Sequence, residues 1–155
     1  MRLILVLALA VLELVVIGGC EHKDKGGKDT GDRAGSGDPR LEGTYTFVGT
    51  EMNGTLVGES QKDRMYAISG NRMILPKGKK EEGITIQCDP NKNPCEIDLS
   101  RTEASGKVDK YYGIYKLEDD TLTLCLIKSD NPSDRPREFK TKDTIAVIWI
   151  LKKTK

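Results

Sequence analysis

The chain has 155 residues, with 25 basic and 24 acidic side chains and a net charge of +1. This length supports one folded domain, and so balanced a charge gives no indication of nucleic-acid binding. Aromatic residues make up only 5% of the chain, with a single Trp. A core must therefore depend mainly on Ile, Leu, Val and Met.

The first twenty residues have the order of an export signal. A positive start is followed by an apolar run from Leu3 to Ile17, interrupted by Glu13, and then by two glycines and Cys20. This order is typical of a secretory signal peptide, and its end resembles the lipobox of bacterial lipoproteins. We therefore expect a signal peptide over 1–19 and lipid attachment at Cys20. Plain secretion and an uncleaved anchor are the alternatives, although the 15 residues from Leu3 to Ile17 fall short of the roughly 20 that span a bilayer.

Residues 20–40 read as a tether that joins the lipidated Cys20 to a folded domain. The segment 21–40 contains five glycines and almost no apolar side chains. Such a segment buries too little surface to order itself. We therefore expect an extracytoplasmic protein of the cell envelope, held to a membrane by its lipid, with its folded domain over 41–155.

From residue 41 onward the pattern is β throughout. Asn53-Gly54 is a hairpin signal, and further turn residues separate short alternating segments rich in β-formers. We predict strands over 44–48, 65–68, 72–75, 84–88, 95–100, 110–117, 121–127 and 144–151. This spacing indicates an antiparallel barrel or sandwich. Because no long amphipathic helix is present to cover a sheet, closure into a barrel is favoured. The last strand is apolar on both faces, so it is central or covered by the loop before it.

Seven short motifs follow one another through this domain. Leu41-Glu-Gly-Thr-Tyr45 looks like the opening L-x-G-T-W of lipocalin-like domains, with Tyr where Trp is usual. The others are Asn53-Gly54, Asp89-Pro-x-Lys-x-Pro94, Ile97-Asp-Leu99, Gly113-Ile-Tyr115, Asp120-Thr-Leu-x-Leu-Cys125 and Arg135-Pro-x-x-Phe139. Together they resemble a lipocalin-like domain family of exported proteins that is abundant in planctomycete bacteria. The resemblance implies a small antiparallel barrel of the calycin type, and that family has no established function.

The residues for most catalytic chemistry are missing from the predicted domain. The one histidine, His22, lies in the predicted tether, where no catalytic geometry can be held. A domain without histidine lacks Ser-His and Cys-His nucleophile activation and the usual catalytic zinc sites. Asp119-Asp120 falls in a predicted turn, where Asp is expected for its geometry. We therefore expect no enzyme activity, no cofactor and no metal.

Two cysteines flank a loop of six residues. Cys88 is two residues after Ile86, and Cys95 is two residues before Ile97. Because alternate residues of a strand lie on the same face of the sheet, both cysteines are predicted to point to the apolar face. Opposite residues of an antiparallel pair bring their Cβ atoms to about 4.5–5.5 Å, close to the roughly 3.5–4.5 Å of a disulfide. We therefore expect a Cys88–Cys95 disulfide. Cys125 is adjacent to Leu124 and Leu126, so we predict that it lies on the opposite face of its strand. It is expected to be a half-buried apolar residue.

The alternating residues of the predicted strands define one face for the barrel interior. A closed barrel of about eight strands holds either a packed core or one small ligand, and both remain open here. We expect the ligand, if any, to be small and apolar. The alternatives are a docking module that binds an envelope protein through residues 129–139 and, by fold analogy alone, an inhibitor of secreted proteases. The candidate ligand-facing residues are Tyr45, Phe47, Ile84, Ile86, Ile97, Leu99, Tyr111, Tyr115, Leu122 and Leu124.

Overall fold

The computed structural model describes residues 37–58, 62, 64–77 and 80–154. The predicted signal peptide, Cys20 and nearly all of the predicted tether lie outside this part of the chain. No helix within the described residues is long and apolar enough to cross a membrane.

Nine strands of the described residues form one antiparallel sheet. Both β2 and β3 pair with β1, and β9 returns to pair with β1 over seven residue pairs. This return closes β1 and β3 to β9 into an eight-stranded barrel and confirms the predicted all-β barrel. The strands are β1 (Gly43–Met52), β2 (Thr55–Val57), β3 (Met65–Ser69), β4 (Arg72–Lys77), β5 (Lys80–Asp89), β6 (Cys95–Thr102), β7 (Val108–Glu118), β8 (Thr121–Lys128) and β9 (Val147–Lys153).

All eight predicted strands are present, and most extend a few residues beyond their predicted ends. The Asn53-Gly54 signal is confirmed as the turn between β1 and β2, where both residues have positive φ, 48° and 74°, as a type I′ turn requires. Strand β2, three residues long, was not predicted. The last strand begins at Val147 rather than at Thr144, because the Thr144 hydroxyl group bonds back to the carbonyl groups of Lys140 and Thr141.

The two ends of the barrel are built differently. At the closed end, a 3-10 turn at Pro39–Leu41 precedes β1, and Leu41 is 1% exposed within the core. The backbone of Gly37 lies so close to the carbonyl oxygen of Gly70, in the turn between β3 and β4, that no side chain fits there. At the open end lie the β1–β2 turn, the β6–β7 loop and the start of β9. The chain therefore enters the domain at the closed end, and the fold includes Asp38, three residues before the predicted start.

A long connection between β8 and β9, residues 129–146, lies across the outside of the barrel. We call it the strap. Phe139 packs on an outer cluster formed by Ile114, Cys125, Ala146 and Ile148. Cys125 is fully buried beneath the strap rather than half-buried, with its Sγ 3.6 Å from the carbonyl oxygen of Glu138. The strap thus covers the outer apolar face of β9, as the two-sided pattern of that strand predicted.

The predicted Cys88–Cys95 disulfide is wrong, because Cys88 is a free thiol. Both cysteines do point to the predicted apolar face, since both contact the interior core. The register differs: Cys88 lies opposite Ile97, not opposite Cys95. Two residues of offset make the cysteines diagonal neighbours, and diagonal side chains on one face lie about 7–8 Å apart, too far for a disulfide.

Candidate functional site

All ten candidate ligand-facing residues belong to the interior of the barrel or pack against it. Nine of them are buried, with exposed fractions of 0–4%, and Tyr111 is half-buried. Tyr45, Phe47 and Tyr115 occupy the interior with their own rings. At the depth of these side chains, the barrel therefore holds a packed core.

A network of polar contacts seals the closed end. The Tyr45 hydroxyl group donates to the carbonyl oxygen of Leu41 over 2.9 Å, and the Tyr115 hydroxyl group donates to Asp38 Oδ2 over 2.7 Å. Arg40 donates to the same carboxylate group through its backbone N–H and its guanidinium group, over 2.6–3.0 Å. Tyr45 is thus buried at the closed end, and its hydroxyl group is hydrogen-bonded there.

The pKa values of this network follow from its burial. Desolvation raises the pKa of Tyr45 to about 12, so its hydroxyl group stays a donor throughout the neutral range. Burial alone would raise the pKa of Asp38, but hydrogen bonds from Arg40 and Tyr115 outweigh it and hold that pKa below its ordinary value. Desolvation also raises the pKa of Cys88 to about 11. Cys88 is therefore protonated, and unreactive as a nucleophile, at neutral pH.

Three aromatic side chains of the inner face form two neighbouring ring pairs, and we call them the aromatic floor. The ring centroids of Phe47 and Tyr66 are 6.2 Å apart, and those of Tyr66 and Trp149 are 6.5 Å apart, in tilted arrangements. Such spacings lie within the favourable range for aromatic pairs. Phe47 and Tyr66 are 4% exposed, whereas Trp149 is only partly buried. Phe47 and Tyr66 thus belong to the buried core, and Trp149 is the partly exposed member of the floor.

Above this floor, apolar side chains line the inside of the open end without being fully buried. Leu75, Tyr111, Val147 and Trp149 pack against the core but remain partly exposed. Met52 lies opposite Val147, hence on the same inner face, and is 50% exposed. We call these five residues the mouth. They are apolar residues of the inner face that remain partly exposed at the open end.

A carboxylate group lies at the edge of the mouth between two lysines. Asp109 is two residues before Tyr111 and shares its inner face, and its side chain is 6% exposed. Lys128 Nζ lies 2.9 Å from Asp109 Oδ2, and Lys107 Nζ lies 3.5 Å from Oδ1. The hydrogen bond from Lys128 holds the pKa of Asp109 below its ordinary value. Lys128 Nζ is also 5.9 Å from the centroid of the Tyr111 ring, so the mouth has a charged edge beside an apolar wall.

Sequence reasoning found the inner face but missed where it is open. Of the mouth, only Tyr111 was among the candidate residues. The period-two pattern of β9 places Val147 and Trp149 with the buried Leu151, and the parity of β7 places Asp109 with Tyr111. These signals identify the inner face, but periodicity carries no information about depth along the barrel.

No protein-family model, curated protein or solved structure matches the chain. Within the described residues, no three His, Cys, Asp or Glu side chains lie close enough to hold a metal ion.

Proposed function

We propose that this chain is a lipid-anchored, non-enzymatic, lipocalin-like protein of a bacterial cell envelope, and that it binds a small apolar molecule in the mouth of its barrel. The observation that carries the proposal is the exposure of apolar inner-face side chains at the open end, above all that of Met52. Interior residues at the closed end, such as Leu122 and Leu151, are fully buried, whereas Met52 at the open end is half-exposed. An inner apolar surface left open to water favours an apolar occupant.

The packed interior limits how deeply such a ligand enters. Phe47 and Tyr66 are almost fully buried below the mouth, so the ligand rests on the aromatic floor instead of passing through the barrel. About ten buried methylene groups at about 0.8 kcal/mol each contribute roughly 8 kcal/mol. The cost of association is about 4–15 kcal/mol. An acyl chain of about this length is therefore the smallest ligand that we expect to be held usefully.

The position of the mouth suits a tethered protein. The described chain enters at the closed end, where Gly37 lies against Gly70, so the mouth is at the end of the barrel opposite the junction with the predicted tether. A flexible tether of 20 residues has an end-to-end distance of roughly 25 Å. The mouth of a barrel anchored through Cys20 would then be free to meet a ligand or a second membrane.

The described polar groups support a binding role more than a catalytic one. Asp38 and Asp109 are each engaged in ion pairs, and the raised pKa of Cys88 keeps its thiol protonated. The predicted domain contains no histidine. These two carboxylate groups are thus held in structural contacts, and the Cys88 thiol is not poised for nucleophilic attack.

The direct test is native mass spectrometry of the full chain purified gently from its bacterial host. We expect a mature N-terminus at Cys20 carrying acyl chains, together with an apolar molecule that dissociates on activation. An intact Met1 N-terminus would overturn the anchor. If no apolar molecule copurifies, the titration described next decides whether the mouth binds one.

Titration uses Trp149, the only tryptophan in the chain, as a reporter within the mouth. Dodecanoate added to the full chain in phosphatidylcholine vesicles should shift the emission of Trp149 in a saturable manner. Met52→Lys should weaken this binding about tenfold or more, because it places a charge among the apolar side chains of the mouth.

Leu56→Lys is the matched control for Met52→Lys. Leu56 is 61% exposed and lies on the same hairpin, but it faces outward opposite Glu51. We expect it to leave the titration unchanged. Equal effects of the two substitutions, or an unsaturable response of Trp149, would contradict binding in the mouth.

A further inference from the structure

A second depression lies on the outside of the barrel, remote from the mouth. It is a groove of about 430 Å³ between the strap and the β5–β6 loop, a size typical of binding sites in proteins. We call it the strap groove. Its lining residues are Lys92, Asn93, Pro94, Glu96, Ile114, Pro132, Ser133, Arg135, Pro136 and Arg137.

Arg135 holds the strap wall of this groove in place. Its Nη1 donates to the backbone carbonyl oxygens of Gly113 over 2.7 Å and Ile97 over 3.2 Å. The same guanidinium group pairs with Asp98 at 2.7 Å and with Glu96 at 3.4 Å. Because these contacts fasten the strap to two strands, the groove is preformed, and a ligand meets little ordering cost on binding.

The groove carries an excess of positive charge. Three of its lining side chains are cationic and one, Glu96, is anionic. The carboxylate group of Glu96 is already engaged by Arg135. Lys92 on the loop and Arg137 on the strap are exposed, and neither has an ion-pair partner among the described residues. Two unneutralised cations thus line the groove from its two walls, over rigid proline surfaces.

We propose that the strap groove docks an acidic peptide segment of a partner protein. Lys92 and Arg137 would bind carboxylate side chains, and Pro94, Pro132 and Pro136 would pack against the peptide backbone. Charge-assisted hydrogen bonds are among the stronger polar contacts. The lining contains no aromatic side chain on which the bases of a single-stranded nucleic acid would stack. Its one large aliphatic residue, Ile114, is 1% exposed, so a lipid surface finds little to bind. This proposal is independent of ligand binding in the mouth.

The test measures the binding of a fluorescein-labelled hexaglutamate peptide to the full chain. The chain is reconstituted in phosphatidylcholine vesicles, which carry no net charge, and the bound peptide is counted by cosedimentation. We expect saturable binding that weakens as salt rises from 50 to 500 mM, because exposed charges are screened. The double variant Lys92→Glu with Arg137→Glu should raise the dissociation constant at least about tenfold.

The matched control is Lys142→Glu with Lys152→Glu, which changes the net charge by the same amount. Both of these lysines are exposed and lie outside the lining of the groove. We expect the control to bind hexaglutamate nearly as well as the unaltered chain does. All four positions are exposed, so folding should be preserved, and circular dichroism of each variant checks it.

Three results would overturn the proposal. Equal losses in the two double variants would show attraction to overall charge rather than to the groove. Equal binding of hexalysine would exclude charge complementarity. Displacement of the peptide by an equal concentration of free glutamate would indicate a site for small anions and not for a peptide. The response of Trp149 to dodecanoate should be the same in all variants, which separates this test from that of the mouth.

Discussion

The closed and open ends of the barrel are formed by the same strands, yet they bury their inner faces to different extents. At the closed end the Pro39–Leu41 turn lies against the barrel, and Leu41 and Tyr45 are 1% and 0% exposed. At the open end Met52 is 50% exposed and Trp149 is partly buried. A chain segment that plugs one end of a barrel thus converts that end into core, while inner-face side chains at the other end stay partly exposed to water.

Each end also holds one buried carboxylate group, and the two are stabilised differently. Asp38 accepts a hydrogen bond from the buried Tyr115 hydroxyl group and pairs with Arg40. Asp109 pairs with Lys107 and Lys128, whose side chains are 68% and 54% exposed. Contacts with exposed lysines are weakened by water and salt. The closed-end carboxylate should therefore matter for stability, and the open-end one much less.

The largest expected effect is that of Tyr45→Ala at the closed end. Removing a fully buried aromatic ring leaves a cavity, and such changes cost about 3–5 kcal/mol. Trp149→Ala, at the partly exposed mouth, should cost clearly less. Urea unfolding of both variants, followed by circular dichroism, measures the difference. Equal losses would mean that the two ends do not differ in packing.

Asp38→Ala should have the next largest effect, a loss of about 1–3 kcal/mol at pH 7, because it leaves the buried Tyr115 hydroxyl group without its acceptor. The pKa of Asp38 in the folded state is lowered from 3.8. Its stabilising contribution is therefore fully present above the unfolded value and is lost as pH falls through the lower folded value.

The difference in unfolding free energy between the unaltered chain and Asp38→Ala should accordingly be constant above about pH 5 and shrink toward pH 2. Asp120→Ala, which removes an exposed carboxylate group at the same end, serves as the control and should show little difference. A gap that widens on acidification would contradict the assigned role of Asp38.

Asp109→Asn should have the smallest effect on stability, because both lysine partners are exposed. The small decrease in unfolding free energy that it causes should disappear at 1 M salt, where the screening length is about 3 Å. The decrease caused by Asp38→Ala should persist. Unfolding measured at low and high salt checks this. A salt-independent loss as large as that of Asp38→Ala would show that the open end is sealed as tightly as the closed one.

The strands could be predicted from the sequence because apolar and polar residues alternate in each of them over several positions between turn signals. Asn53-Gly54 marked its hairpin, since both residues tolerate the positive φ that the turn requires. Strand β2 was missed because three exposed residues, 55–57, bury nothing and so show no alternation. The candidate inner face was equally readable, since Ile84 and Ile86 share it at period two.

The cysteine pairing shows where local pattern stops being sufficient. The alternation of apolar residues correctly predicted that Cys88 and Cys95 lie on one face of the sheet. A shift of two residues in the strand register leaves each side chain on the same face, so alternation does not determine which residues are paired. The pairing of Cys88 with Ile97 depends on how the loop 90–94 closes and on how both strands pack against their other neighbours. These are properties of the whole sheet and not of either strand.

By itself, the sequence determined the β class of the fold, its turns and the residues that face inward, because these depend on neighbours close in the chain. The tertiary structure alone decided the strand register, the sealing of one end by Asp38, Leu41 and Tyr115, and the mouth at the other. It also decided how the strap approaches Lys92 to form a groove. Each of these brings together residues from distant strands, and only closure of the barrel through β1 and β9 sets the distances between them.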